Sequence, residues 1–172
     1  MKRVAKFEKV SFEQFSKDMV NALGKAGLTD EFLKATYNEI NLPCRATKGS
    51  AGYDFFMPFA VTLKPGETAL IPTGIRCYME PEWVLKLYPR SGLGFKFRLQ
   101  LNNTVGIIDS DYYYSDNEGH IMAKITNDTN EEKILELPEY KGFMQGIFVE
   151  YGITTDDECE GVRNGGFDSS GH

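Results

Sequence analysis

At 172 residues and 19.4 kDa, the chain is sized for one hydrophobic core with an appendage. Its 41% hydrophobic and 26% charged residues exclude wholesale disorder and a coiled-coil or collagen-like chain. With 19 basic against 25 acidic side chains the net charge is −6, the wrong sign for coating a phosphate backbone, so direct nucleic-acid binding is not expected.

Residues 1–40 read as an N-terminal helical appendage. Ser11 followed by Gln14 resembles a capping box, and Phe12, Phe15, Met19, Val20 and Leu23 recur at helical spacing before Gly24 offers a stop. A second short helix starts at Thr29 and carries Phe32 and Leu33. Such a segment serves as a cover for the main core or as a partner-binding element, and nothing in it suggests chemistry.

Residues 41–155 change texture to short apolar and β-branched runs broken by Gly and Pro. Strands are expected at 53–56, 60–63, 68–72, 75–79, 84–88, 99–103, 106–108, 120–127, 133–137 and 144–151. Lys64-Pro65-Gly66-Glu67 marks a turn between two of them. Many short strands joined by tight turns imply a mainly β fold of the sandwich, barrel or jelly-roll type. Residues 156–172 are polar, glycine-rich and poor in strand formers, as expected of a flexible C-terminal arm. No apolar run approaches the roughly 18 residues that span a bilayer, and the charged start MKRVAKFEK lacks the apolar stretch of a signal peptide. The chain is therefore expected in the cytoplasm, with no membrane association.

The three cysteines, Cys44, Cys77 and Cys159, are widely spaced and odd in number, which indicates neither a zinc site nor a disulfide scaffold. With His120 and His172 the only histidines, acid–base work falls to carboxylates. There is no Walker-type phosphate loop, and Gly92-Leu93-Gly94 meets Phe97 where a dinucleotide fingerprint needs a third glycine. Three glycine- and hydroxyl-bearing segments could instead cradle a polyanion: 48–52, 89–94 with Arg90, and 163–171 with Arg163. Phe167 in the last could stack on a base. The β-branched run Gly106-Ile107-Ile108 delivers Asp109, Asp111 and Tyr112 to a strand end, where a carboxylate could activate water and a ring could wall a pocket. Asp111 and Asp116 read as solvated turn acids.

The ordered series AGYD (51–54), PRSGLG (89–94), NTVGIIDSDY (103–112), MQGIF (144–148) and RNGGFDSSG (163–171) resembles the five motifs of the homotrimeric dUTPases. The resemblance implies a jelly-roll-like β-fold assembled as a homotrimer with sites shared between subunits, hydrolysing dUTP to dUMP and pyrophosphate with Mg²⁺ as cofactor. By similarity, Asp109 activates the attacking water. Asn103, Gly106 and Tyr112 bind uracil and deoxyribose, and Phe167 stacks on the base. Arg90, Ser91, Gly92, Gln145, Arg163, Ser169 and Ser170 contact the phosphates. Asp54 reaches the metal only through water, the Mg²⁺ being held by the triphosphate. The arm would close over a neighbour's site.

Four features depart from the family pattern. The Arg163 to Phe167 spacing is one residue short, Asp168 stands where a glycine is usual, Tyr112 is followed by the longer stretch 113–119, and the residues before Gln145 are changed. A carboxylate at 168 beside a triphosphate predicts weaker nucleotide binding. Two alternatives share the fold: a dCTP deaminase-type relative, and a nucleotide-responsive regulator that binds a protein partner through residues 1–40 or 113–119.

Overall fold

The computed structural model describes residues 1–161 and Arg163. The chain enters as a strand, β1 (Ala5–Lys9), where a helical segment alone was expected. Its two lysines and glutamate are poor strand formers. Antiparallel pairing with β5 (Ile75–Met79) overrides that preference, from Ala5 opposite Met79 to Lys9 opposite Ile75. Phe7, midway along β1, sets its ring 5.4 to 5.7 Å from those of Tyr53, Phe55 and Phe148.

Helix α1 (Phe12–Leu23) begins and ends where its signals stand. The Ser11 hydroxyl accepts the Gln14 N–H at 3.1 Å, and Gly24 at φ 78° closes the helix. Helix α2 (Asp30–Asn38) is capped in the same way by Thr29. α1 buries Phe15 and Met19 completely, in one cluster with Ile71, Ile75, Leu85 and Ile125 of the sheets. Each such side chain contributes about 1.5–3 kcal/mol of hydrophobic burial, so the helix is part of the core it covers.

The remaining strands are β2 (Tyr53–Phe56), β3 (Val61–Leu63), β4 (Thr68–Pro72), β6 (Trp83–Pro89), β7 (Leu99–Leu101), β8 (Gly106–Ile108), β9 (Met122–Asn127), β10 (Leu135–Leu137) and β11 (Gly142–Glu150). All their pairings are antiparallel, in a four-stranded sheet β2-β11-β6-β8, a three-stranded sheet β4-β9-β7 and the pair β10-β3. The mainly β, jelly-roll-like expectation is met. Within it, Ser91–Phe97, which overlaps the glycine-bearing segment 89–94 and for which no helix is expected from the sequence, winds into a short helix, α3, despite two glycines. Leu93 and Phe97 pack against the core from this helix, and Arg98 in the left-handed region returns its N–H to Leu93 and Gly94 carbonyls. Packing outweighs the helix-breaking preference of glycine.

Candidate functional site

Strand β8 is three residues long and hydrogen-bonded to β6, with Gly106 opposite Leu87. A β-carbon at Gly106 would lie 3.0 Å from the Leu87 β-carbon, so only glycine lets the strands close here without displacement. Beyond β8 the backbone remains extended at Asp109, then tightens into a 3₁₀ turn, Ser110–Tyr114. Asp109 makes no side-chain cap to that turn, leaving its half-exposed carboxylate facing a cavity of about 360 Å³. Leu87, Leu101, Met122 and Met144 are among its apolar walls, and Asn103, Gly106, Asp109, Tyr112 and Arg163 also line it. The size and character suit a small ligand with an apolar ring and a few polar edges.

The 3₁₀ turn swings Tyr112 back beneath the cavity, where it is only 8% exposed. Its hydroxyl donates to the His120 carbonyl at 2.8 Å and accepts from Asn117 Nδ2 at 2.8 Å. Burial raises the phenol above its ordinary value, so this wall is uncharged at neutral pH. Arg163 lies over the opening of its own chain's cavity, whereas the family resemblance implies an arm that closes over a neighbour's site. Arg163 Nη2 donates to Asp109 at 2.6 Å and its Nε to Asp111 at 2.9 Å, with the guanidinium carbon 5.9 Å from the Tyr112 ring centre. Asp111, read from the sequence as a solvated turn acid, is thus a partner of the cavity's arginine.

The other expected phosphate-side residues gather elsewhere in the chain. Gln145 on β11 stands opposite Asp54 on β2 and Tyr88 on β6, and Arg90 Nε lies 3.4 Å from Asp54 Oδ1. β-carbons at Gly142 and Gly52 would approach Arg90 Nη1 and Gln145 Oε1 to 2.5 Å, so these glycines make room for the guanidinium and the amide. Ser91 and Gly92 open α3 beside Arg90. None of Asp54, Arg90, Ser91, Gly92 and Gln145 lines the cavity. Phe167, Ser169 and Ser170 lie outside the described residues.

Among the described residues no three His, Cys, Asp or Glu side chains converge as a metal cage. The carboxylates present, Asp109 at the cavity and Asp54 beside Arg90, are oxygen donors of the kind that Mg²⁺ takes one or two at a time, alongside phosphate oxygens and retained waters.

Sequence reasoning missed a second polar network behind Tyr112. His120 is fully buried, its Nδ1 2.6 Å from Asp18 Oδ2 on α1 and its Nε2 accepting the Gly74 N–H at 2.7 Å. The Gly74 bond places the ring proton on Nδ1, which donates to Asp18. Glu118 accepts both the N–H and the hydroxyl of Ser11, at 2.7 and 2.6 Å. For both carboxyls burial alone would raise the pKa. The bonds from His120 and Gln14 outweigh it at Asp18, and those from Ser11 outweigh it at Glu118, so both are held below their ordinary values. A depressed carboxylate stabilises the fold above the unfolded-state pKa of about 4, and that stability is lost as pH falls through the lower folded value. Thermal unfolding midpoints should therefore fall below about pH 4 less steeply in Asp18→Asn/Glu118→Gln than in the parent. Equal slopes would show that these two groups do not govern acid stability.

Residues 38–171, carrying the cavity and the Asp54–Arg90–Gln145 cluster, match the dUTPase family model. The chain belongs to the dUTPase family. It is 44% identical over 135 residues to the deoxyuridine 5′-triphosphate nucleotidohydrolase of Lactococcus lactis, covering 77% of this chain and 89% of that one. Against the enzyme of the same name from Hahella chejuensis the identity is 41% over 140 residues, covering 78% and 89%. The crystal structure of the Streptococcus mutans dUTPase superposes with a TM-score of 0.61 at 33% identity, covering 86% of this chain and 97% of that one. Residues 1–37 of this dUTPase precede the family match. No helix among its described residues is long and apolar enough to cross a membrane.

Proposed function

We propose that this dUTPase hydrolyses dUTP to dUMP and pyrophosphate in the cytoplasm, keeping uracil out of DNA. The observation that carries the reading is Asp109 at the mouth of an apolar cavity whose wall is the buried ring of Tyr112. Uracil enters between the apolar side chains, with Asn103 and the backbone at Gly106 reading its polar edge. Tyr112 packs where a 2′-hydroxyl would project. Asp109 orients a water and takes its proton as the oxygen attacks the α-phosphorus. The bond from that phosphorus to the bridging oxygen breaks, and pyrophosphate leaves.

Mg²⁺ bound to the triphosphate neutralises charge that an acidic protein would otherwise repel. Asp54 would hold such an ion only through its bound waters. The residues expected at the phosphates fall into two sets within one chain, which supports a homotrimer in which Arg90, Ser91, Gly92 and Gln145 of one subunit complete the cavity of another. Arg163 exchanges the carboxylates of Asp109 and Asp111 for phosphate oxygens when substrate arrives, freeing Asp109 for the water. Phe167, Ser169 and Ser170 come after it in the chain, stacking on uracil and gripping phosphate.

The test is pyrophosphate release from dUTP with and without Mg²⁺, with dCTP, dTTP and UTP as controls. A dUTP-selective, Mg²⁺-dependent rate is expected. Ammonia release from dCTP would replace this reading with a deaminase, and a folded protein that turns over none of the four nucleotides would replace it with a binding role.

A further inference from the structure

We propose that the N-terminal segment and the 113–119 stretch form one clamp that positions Tyr112, and thereby set the discrimination between deoxyribonucleotide and ribonucleotide from outside the cavity. The inference rests on reading Tyr112 as the wall beside the sugar. Residues 1–37, which precede the family match, and the stretch 113–119 after Tyr112 are bonded to each other.

Two links cross between them, and a third reaches His120, the residue that follows the stretch. The Tyr113 hydroxyl donates to Glu8 at 2.6 Å, Glu118 takes two bonds from Ser11, and His120 is held by Asp18 at 2.6 Å. These links all fall on the chain just after Tyr112, whose hydroxyl is tied to the same region through Asn117 and the His120 carbonyl.

The Ser11 link completes an unfinished cap. In a capping box the third helical residue would reach back to the N-terminal N–H. Here Gln14 donates to Asp18 at 2.7 Å instead, and Glu118, 107 residues further along, accepts the Ser11 N–H. The start of α1 and the tip of the 113–119 stretch thus satisfy one another, and neither is completed locally. Gly119 permits the reversal: it sits at φ 69°, and a β-carbon there would lie 2.7 Å from the Tyr112 carbonyl oxygen.

A clamp is needed because the 3₁₀ turn carrying Tyr112 has weak internal hydrogen bonding and comes directly after a strand of three residues. Rejecting a single hydroxyl requires the ring to hold its place to within about half an ångström, which supporting bonds outside the contact layer must enforce. Glu8, Ser11, Asp18, Glu118 and His120 are positioning residues in this scheme.

The experiment measures kcat/KM for dUTP and UTP, together with unfolding midpoints, in Glu118→Ala, Asp18→Ala, Asp18→Asn, Tyr112→Ala and Val61→Ala. The last lies on the separate β3–β10 pair and serves as a destabilised control. Glu118→Ala and Asp18→Ala should each raise the UTP-to-dUTP ratio about tenfold, the scale of one charge-assisted bond lost. Asp18→Asn keeps an acceptor for His120 and should return the ratio to within about twofold of the parent. Val61→Ala should leave it unchanged. If Tyr112→Ala raises the ratio while the clamp variants move it no more than Val61→Ala, the clamp is structural only and the proposal is overturned. If Tyr112→Ala itself leaves the ratio unchanged, the reading of Tyr112 fails and the clamp's role in specificity falls with it. Should Asp18→Ala fail to fold, the half-buried Glu118 carries the test alone.

Discussion

Asp109→Asn should lower kcat for dUTP by about a thousandfold, within the range a positioned general base contributes. Asparagine preserves the shape and one acceptor oxygen, so a water can still be bound and Arg163 still has Asp111. What the amide cannot do is receive the proton released as the water attacks. Loss should therefore appear in kcat, with KM nearly unchanged, because the interaction removed matters mainly in the transition state. The fold should not register the change: the Asp109 side chain is 47% exposed and caps nothing. The unfolding midpoint should stay within the shift expected of about 0.5 kcal/mol for a surface substitution. Pyrophosphate release under saturating Mg²⁺ and dUTP checks the rate, and a variant retaining parental kcat would sink the assignment of the base.

Tyr112→Ala should reduce discrimination against UTP by about a hundredfold, since an apolar pocket alone rejects an added hydroxyl only weakly. Removing the ring opens the space it fills beneath the cavity and strands two groups, Asn117 Nδ2 and the His120 carbonyl, that now meet at its hydroxyl. A cost of about 3–5 kcal/mol is expected from cavity and unpaired groups together, so activity should be assayed well below the unfolding midpoint. Tyr112→Phe separates the two contributions. It keeps the ring and loses the hydroxyl's ties to Asn117 and the His120 carbonyl, so discrimination should fall by about tenfold, less than in Tyr112→Ala, while stability drops by about 1 kcal/mol. Parallel kcat/KM values for dUTP and UTP decide the matter, and an unchanged ratio in Tyr112→Ala would remove the sugar-gating role.

The charge pattern joins these two results. Asp109 and Asp111 face a single arginine in a protein of net charge −6. Before substrate arrives, that arginine relieves the repulsion of two neighbouring carboxylates. A phosphate chain bringing its own Mg²⁺ offers Arg163 a stronger partner and leaves Asp109 available to water. This exchange is a proposal about timing, and it places the arginine's contribution in binding, where Asp109→Asn is expected to show little.

Local signals alone determined much of this protein. Ser11 and Thr29 start helices because a hydroxyl there satisfies a backbone N–H three residues on, a bond that needs no distant partner. The apolar run ending at Ile108 delivers Asp109 to the surface because a strand that leaves its sheet exposes the next residues of the chain, and the ordered motifs fall where the family match runs, over 38–171. Tertiary structure decided the rest. β1 exists because β5 offers an unpaired edge to a charged segment with little strand preference of its own. α3 exists because Leu93 and Phe97 find the core. The network of Asp18 with His120 and Ser11 with Glu118 joins residues more than a hundred positions apart. Hydrogen bonds at that separation leave no periodicity or spacing in the chain, since they are chosen by which surfaces the folded core brings together.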